Sequence, residues 1–392
     1  MPHEKRDKIL YKAYNKSGKP KWFTAFKMSL MRPAQPENSA DVQLNEKGTF
    51  RMKVIDMHCD TIAEIYARKQ AGEDCGILKN GLHIDLEKMK KGDYLLQNFA
   101  MFAHMENLKG VMPISEYAFK LADTFLTEMR KYPDQIGIVK SYKDIEENMK
   151  AGRMSAMLTM EEGAICEGKI EYLRIFYELG VRMFTFTWNF ANELAWPNRF
   201  EPDVLDPVGL TIPGKFVPDT EHGLTEKGFE FLEEMERLGM ILDVSHLGDK
   251  GINDVIEHAK KPFVASHSNA RAVCGHARNL TDDMIRGLAE KGGVMGMNFY
   301  PLFLREKEKW GTDMHASIDD IVRHIRHIVN VGGIECIGLG SDFDGYYIPF
   351  EMHGAADMQM LADKLREEKF TEDEIEKIFY KNVLRVYKEV LK

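Results

Sequence analysis

The chain has 392 residues, a formal net charge of −9, 44% hydrophobic and 29% charged residues. That length can bury a large core, and this composition excludes a disordered or fibrous chain. The acidic balance argues against nucleic acid or an anionic membrane as main partner, and no apolar run is long enough to cross a bilayer.

Residues 1–51 are rich in Lys, Pro, Asn and Ser and lack periodicity. They are expected to form a poorly ordered N-terminal extension. MKVIDMHCD then begins a strand at once, which makes Met52 a candidate start and 52–392 a single catalytic domain. The polar, basic N-terminus lacks an apolar stretch and YKEVLK offers no anchor, so a cytoplasmic setting is expected. The cysteines (Cys59, Cys75, Cys166, Cys274, Cys336) are odd in number with no C-x-x-C pair, which argues against a disulfide framework or a zinc knuckle.

From Met52 onward apolar strands alternate with amphipathic helices. Strands are expected near 53–58, 94–103, 154–160, 182–187, 240–245, 262–266, 292–298 and 335–340. Helical patterns include YAFKLADTFLTEMRKY, IEYLRIFYELG, GFEFLEEMERLG and IDDIVRHIRHIVNVGG, and Gly180, Gly239 and Gly332 stand where C-caps belong. Near-continuous apolar strands in such alternation indicate a parallel sheet. Roughly eight units imply an α/β fold of the (β/α)₈ TIM-barrel type, with an open doubly wound sheet as the alternative. Residues 188–224, rich in proline and aromatic residues, are too long for a plain connection and are read as a substrate-covering or dimer-forming loop.

Polar residues close several of these strands. The first strand leads into His58 and Asp60, whose i, i+2 spacing puts both on one side of an extended chain. H-x-D alone is a weak signal, and its position carries the reading. Glu161 and Glu162 follow SAMLTM, and a carboxylate there can bridge two cations; spacing does not say which glutamate points inward. His246 ends MILDVSH and His267 ends PFVASH, one βα unit apart. Imidazole suits zinc, and mixed histidine–carboxylate shells suit a pair of hydrolytic divalent ions. GLGSDFDG supplies Asp342, placed to take a proton and return it to a leaving amine, with Asp344 as its competitor at the same parity. Arg278 follows the His267 strand and can grip a carboxylate, and Thr281 is a candidate N-cap. His324 and His327 are read as a solvated helix face, and His104, His222 and His276 as loop or strand-end residues that could support a site. Phosphate-loop, Rossmann, H-E-x-x-H and G-x-S-x-G fingerprints are absent.

The ordered set VIDMHCD, TMEEGA, GVRMFTFTWN, ILDVSH, PFVASHSNARAVCGHARNLTDD and GLGSDFDG resembles the membrane (renal) dipeptidase family, peptidase family M19, from about residue 53 to the C-terminus. The resemblance implies a barrel carrying two Zn²⁺ ions, or other divalent metals, that hydrolyses dipeptides with a free C-terminal carboxylate and tolerates D-residues at that position. It implies His58 and Asp60 on the first ion, Glu161 bridging, and His246 and His267 on the second. It also implies Arg278 on the substrate carboxylate, Asp342 as proton shuttle, Asn298 and Tyr300 lining the pocket, and a homodimer. One departure stands out: mammalian members carry a histidine where this chain has Trp188, so the carbonyl-polarising role would pass to zinc or to Asn189. Indole can donate one hydrogen bond but cannot act as a cation.

Two other readings compete. Amidohydrolase-type amidases and lactonases usually open H-x-H and often bridge with a carbamylated lysine, whereas this chain opens H-x-D with Glu161 at the bridge. A barrel that has lost catalysis and serves as a binding protein draws only on Trp188.

Overall fold

In chain order the parallel strands are β1 (Val54–Asp56), β2 (Tyr94–Phe102), β3 (Ile136–Val139), β4 (Met154–Glu161) and β5 (Val181–Thr185). Two short antiparallel pairs follow: β6 (Arg199–Glu201) with β9 (Lys215–Val217), and inside it β7 (Val204–Leu205) with β8 (Thr211–Ile212). The parallel series resumes with β10 (Ile241–Asp243), β11 (Val264–Ala265), β12 (Val294–Met297) and β13 (Ile337–Leu339). This computed structural model describes residues 51–201, 204–205, 211–212, 215–306, 316–348 and 350–392. The expected N-terminal extension, but for Arg51, and part of the 188–224 loop therefore lie outside the described residues.

Around the ring the order is β2–β1–β13–β12–β11–β10–β5–β4, and β4 closes it by pairing with β2, Phe102 opposite Glu161. This is the (β/α)₈ barrel that the strand–helix alternation implies, and its strands are the ones expected from sequence. The ninth parallel strand, β3, is not among the expected ones. Its four residues IGIV pair with the first half of β4, while β5 pairs with the second half. Every residue of β1, β5, β10, β12 and β13 is buried, as strands covered on both faces must be.

The C-terminal helix Asn382–Val390 places Val383, Val386 and Tyr387 in one apolar cluster with Ile55, Met183, Ile241, Val264 and Val294. The Tyr387 hydroxyl bonds Asn98 on β2 at 2.7 Å. The opposite rim, where the strands end, receives the polar residues.

The expected helices are Ile114–Arg130, Ile170–Leu179, Glu226–Leu238 and Ile318–Gly332. Gly180 and Gly239 cap in the left-handed conformation at φ 115° and 82°. Gly332 is instead the last helical residue, and Gly333 takes the cap. Thr281 is the N-cap of its helix, accepting the Met284 N–H. Among the described residues no helix is long and apolar enough to cross a membrane.

His324 corrects the sequence reading. It is fully buried, not on a solvated face: Nδ1 accepts the Ala270 N–H at 3.1 Å and Nε2 meets the Leu304 carbonyl at 3.0 Å. His327 is half-buried and pairs with Asp282. Periodicity does not separate the two, because a helix of this amphipathicity buries polar residues where a loop offers partners. Burial pulls the His324 pKa down to about 4. The folded value lies below the unfolded one, so the unfolded chain binds the proton first as pH falls. Stability from this site is whole above about pH 6.5 and declines toward pH 4. Between pH 7 and pH 5 wild type is expected to lose about 2 kcal/mol more than a His324→Gln variant, measured by urea unfolding. Equal losses in the two proteins would refute the assignment.

Candidate metal centre

Four strand ends each deliver one part of a buried cluster. His58 lies just beyond β1, Glu161 ends β4, and His246 and His267 follow β10 and β11. Glu161 is the hub. Its Oε2 stands 3.3 Å from His58 Nε2, and its Oε1 stands 3.0 Å from His246 Nε2 and 3.6 Å from His267 Nε2. His58 Nε2 also faces Asp60 Oδ2 at 3.6 Å. Strand parity is not what brings His58 and Asp60 together. β1 ends at Asp56, and Asp60 is the residue that precedes the helix Thr61–Gln70, with φ −98° and ψ 10°. Glu161, not Glu162, turns inward. Glu162, at φ 98°, turns to the Ala164 N–H, the Trp188 N–H and the Asn192 amide.

Three sets of residues bring ligand atoms together closely enough to share an ion: His58–Asp60–Glu161, Glu161–His246–His267 and His58–His267–Asp342. The atoms themselves indicate that a cation fits. His58 Nε2 and Asp60 Oδ1 are buried with no hydrogen-bond partner among the described residues. The Nε2 atoms of His246 and His267 face each other at 3.0 Å, while their Nδ1 atoms are taken by Asn189 Oδ1 at 3.1 Å and Ser266 Oγ at 2.7 Å. Two ring nitrogens and a carboxylate oxygen thus converge on one point. Buried donors in such a set are stable only around positive charge.

The electrostatics agree. Burial opposes ionisation of Glu161, but His58 and His246 outweigh it and hold the acid below the usual carboxylate range. Burial, reinforced by Arg278, pulls His246 down to about 4, so its ring is neutral and able to ligate. Burial and the Glu161 charge push Asp60 up to about 7.

Asp342 and Asp344 are distinguished by their partners. Asp342 Oδ2 accepts the Asn298 amide at 2.9 Å beside the cluster. Asp344 turns away, accepting from the Thr61 hydroxyl at 2.6 Å and the His83 N–H at 2.7 Å. Both residues have left-handed φ, 63° and 69°, so regular alternation does not apply to them. A Cβ added at Gly345 would run into Oδ2 of Asp60 and Oδ1 of Asp342, so the glycine keeps these carboxylates close. Burial raises Asp342 to about 6, against the pull of His58.

Arg278 is buried at 5% exposure. Its terminal nitrogens donate to Ser268 Oγ and the His267 carbonyl, both at 3.2 Å, while Nε has no partner. Tyr300 is half-buried, its ring 4.8 Å from Phe303. Asn298 is fully buried, and its amide donates to Asp342 at the edge of the cluster. Asn189 offers its carbonyl to the His246 ring at 3.1 Å, which orients that ring. Trp188 packs among Phe102, His104 and Phe190 at ring distances of 5.0, 4.8 and 5.8 Å, and 6.1 Å from His246. The described part of the 188–224 loop also sets Phe216 5.7 Å from His276 and Trp196 4.7 Å from His222.

Sequence reasoning missed Asp56 and Asp243, the buried carboxylates beneath the histidines. Asp56 accepts from Ser341 and from the His58 N–H. Asp243 accepts from Ser245, Ser266 and Thr185. The chain does carry a signal for them: an aspartate inside an apolar strand shortly before a histidine, in VIDMH and again in ILDVSH.

A parallel barrel with histidines and carboxylates gathered at its C-terminal rim defines the metal-dependent hydrolase class. The sequence profile of membrane dipeptidase (peptidase family M19) matches residues 49–392. The chain belongs to this family and is a metallo-dipeptidase of the M19 type. It is 32% identical over 359 residues to an uncharacterized dipeptidase of Schizosaccharomyces pombe, covering 86% of this chain and 80% of the relative. It is 37% identical over 251 residues to an uncharacterized protein encoded in the pqqA 5′ region of Klebsiella pneumoniae, covering 64% of this chain and 87% of that one. Among solved structures it is similar to the M19 metallopeptidase dipeptidase AC, at TM-score 0.77 and 26% identity over 87% of this chain and 99% of that one. It is also similar to a Rhodobacter sphaeroides metallopeptidase liganded with a phosphinate mimic of L-Ala-D-Ala, at TM-score 0.75 and 26% identity with the same coverage.

Proposed function

We propose that this chain hydrolyses dipeptides with a free C-terminal carboxylate at a pair of divalent ions, zinc being the first choice, and accepts a D-residue at the C-terminal position. The observation that carries this reading is Glu161, whose two oxygens face different histidine sets. His58, Asp60 and Glu161 would hold one ion; Glu161, His246 and His267 would hold the other. Bound there, the ions would polarise the scissile carbonyl and lower the pKa of the attacking water.

The chain's own residues do the rest. Arg278, buried without a carboxylate partner among the described residues, pairs with the substrate's C-terminus. Asp342, held by Asn298 and raised to about 6, takes a proton from the attacking water and returns it to the leaving amine. A pKa close to the working pH suits both directions of transfer. Trp188, backed by Phe102 and Phe190, stands beside His246, which suits apolar substrate side chains on that side. The D-residue expectation draws on the Rhodobacter sphaeroides relative, whose ligand mimics L-Ala-D-Ala. A homodimer and a cytoplasmic setting complete the reading on family resemblance and composition.

A dipeptide panel containing L-L and L-D pairs, each also as its C-terminal amide, tests the proposal beside metal analysis. Turnover of free-acid dipeptides, a large drop to a residual rate on amidation, and two ions per chain are expected. A loaded protein that cleaves amides and free acids equally, or neither, would sink it.

A further inference from the structure

We infer that Asp243 sets the direction of a proton chain that turns the Nε2 lone pair of His267 toward the metal centre. The inference rests on the metal reading above, but its first test does not require a bound ion.

Asp243 is 1% exposed and ends β10. Its Oδ1 accepts the N–H groups of Ser245 and Ser266 at 2.9 and 2.8 Å. Its Oδ2 accepts the hydroxyls of Thr185 and Ser266 at 2.7 and 2.6 Å. The carboxylate is an acceptor with every position filled. Ser266 has one hydroxyl proton, and it goes to Asp243. The remaining Ser266 lone pairs face His267 Nδ1 at 2.7 Å and the Ser245 hydroxyl at 3.3 Å. Ser245 Oγ itself accepts the His267 N–H at 3.1 Å and is free to donate onward. His267 Nδ1 must therefore carry the ring proton, which leaves Nε2 bare and facing His246 Nε2 and Glu161 Oε1. Asp56, the matching carboxylate at the end of β1, receives the Ser341 hydroxyl at 2.6 Å, but among the described residues no histidine ring bonds to that serine. Among those residues the relay belongs to the His267 half. Asp243 is a positioning residue: it acts through Ser266 and does not reach the reacting atoms.

Asp243→Asn nearly preserves shape and reverses the chain. The asparagine carbonyl keeps both backbone N–H groups, while its amide donates where Oδ2 accepted. Ser266 and Thr185 must turn to accept from it. Ser266 then donates its hydroxyl hydrogen bond to an unprotonated His267 Nδ1, and the ring's single proton sits on Nε2, aimed at the cation position.

Two measurements on the metal-stripped full-length protein test this. In the ¹⁵N imidazole spectrum, wild-type His267 is expected as the Nδ1–H tautomer and Asp243→Asn as the Nε2–H tautomer. In zinc titrations by calorimetry, Asp243→Asn is expected to bind the second ion 10–100-fold more weakly, with the first unchanged. The double variant Asp243→Asn with Ser266→Ala has no hydroxyl to carry the reversed proton. It is expected to recover zinc affinity over the single variant, which a merely damaged site would not do. The same tautomer in wild type and Asp243→Asn, or a double variant no tighter than the single, overturns the inference. Wild type that shows the Nδ1–H tautomer yet takes up no zinc overturns the metal reading and leaves the relay standing.

Discussion

Glu161→Gln is expected to lower kcat/KM on a free-acid dipeptide by about a thousandfold, equivalent to about 4 kcal/mol of lost transition-state stabilisation. The reason is geometric. This one side chain supplies an oxygen to His58's side and another to the side of His246 and His267. An amide keeps the shape but removes the charge and one acceptor. Its N–H groups could meet one of the bare Nε2 atoms, so the variant should fold and melt close to wild type. The loss would appear in metal content, measured as ions per chain, together with the rate. A variant that still holds two ions and turns over within tenfold of wild type would remove Glu161 from the centre of the mechanism.

The same glutamate marks the boundary of what the sequence makes legible. TMEEGA presents two carboxylates at a strand end, and pattern alone leaves the choice open. The backbone decides it: Glu161 is the last extended residue of β4, whereas Glu162 adopts φ 98° and turns to the Trp188–Asn192 loop. The barrel is legible because its strands are mostly apolar and alternate with amphipathic helices. The strand-end histidines are legible because imidazole is out of place there. What stays hidden depends on non-local partners. His324 reads as one more polar residue on an amphipathic helix until Leu304 and Ala270 are placed against it. Nothing in the sequence ties Asn189 to the His246 ring until the fold brings the two together. Asp56 and Asp243 break the apolar pattern of their strands, but the serine hydroxyls that bond them, on Ser341 and Ser266, come from other strands. β3 is hidden differently: IGIV is too short for a periodicity, and its position on β4 depends on β5 leaving half of that edge open.

Arg278→Met is expected to raise KM for free-acid dipeptides by about a hundredfold or more, because two charge-assisted hydrogen bonds at about 1.5–3 kcal/mol each are lost. Stability should move the other way or not at all. Arg278 is buried at 5% exposure, its hydrogen bonds go only to neutral oxygens, and its Nε has no partner. Burial lowers its pKa to about 10, with Asp342 and Glu161 giving partial support from a distance. Such a cation costs folding free energy, and an apolar chain of similar length relieves that cost. A residue that weakens the fold while it waits for an anion is placed for binding. Thermal melts and steady-state kinetics on the same preparation separate the two effects. C-terminal amides supply the internal control: they lack the charge Arg278 would grip, so wild type and Arg278→Met should handle them alike. If the variant kept its KM for free acids, or lost amides and free acids equally, the guanidinium would have to be assigned to the fold. The substrate's C-terminus would then need another partner among the residues facing His267.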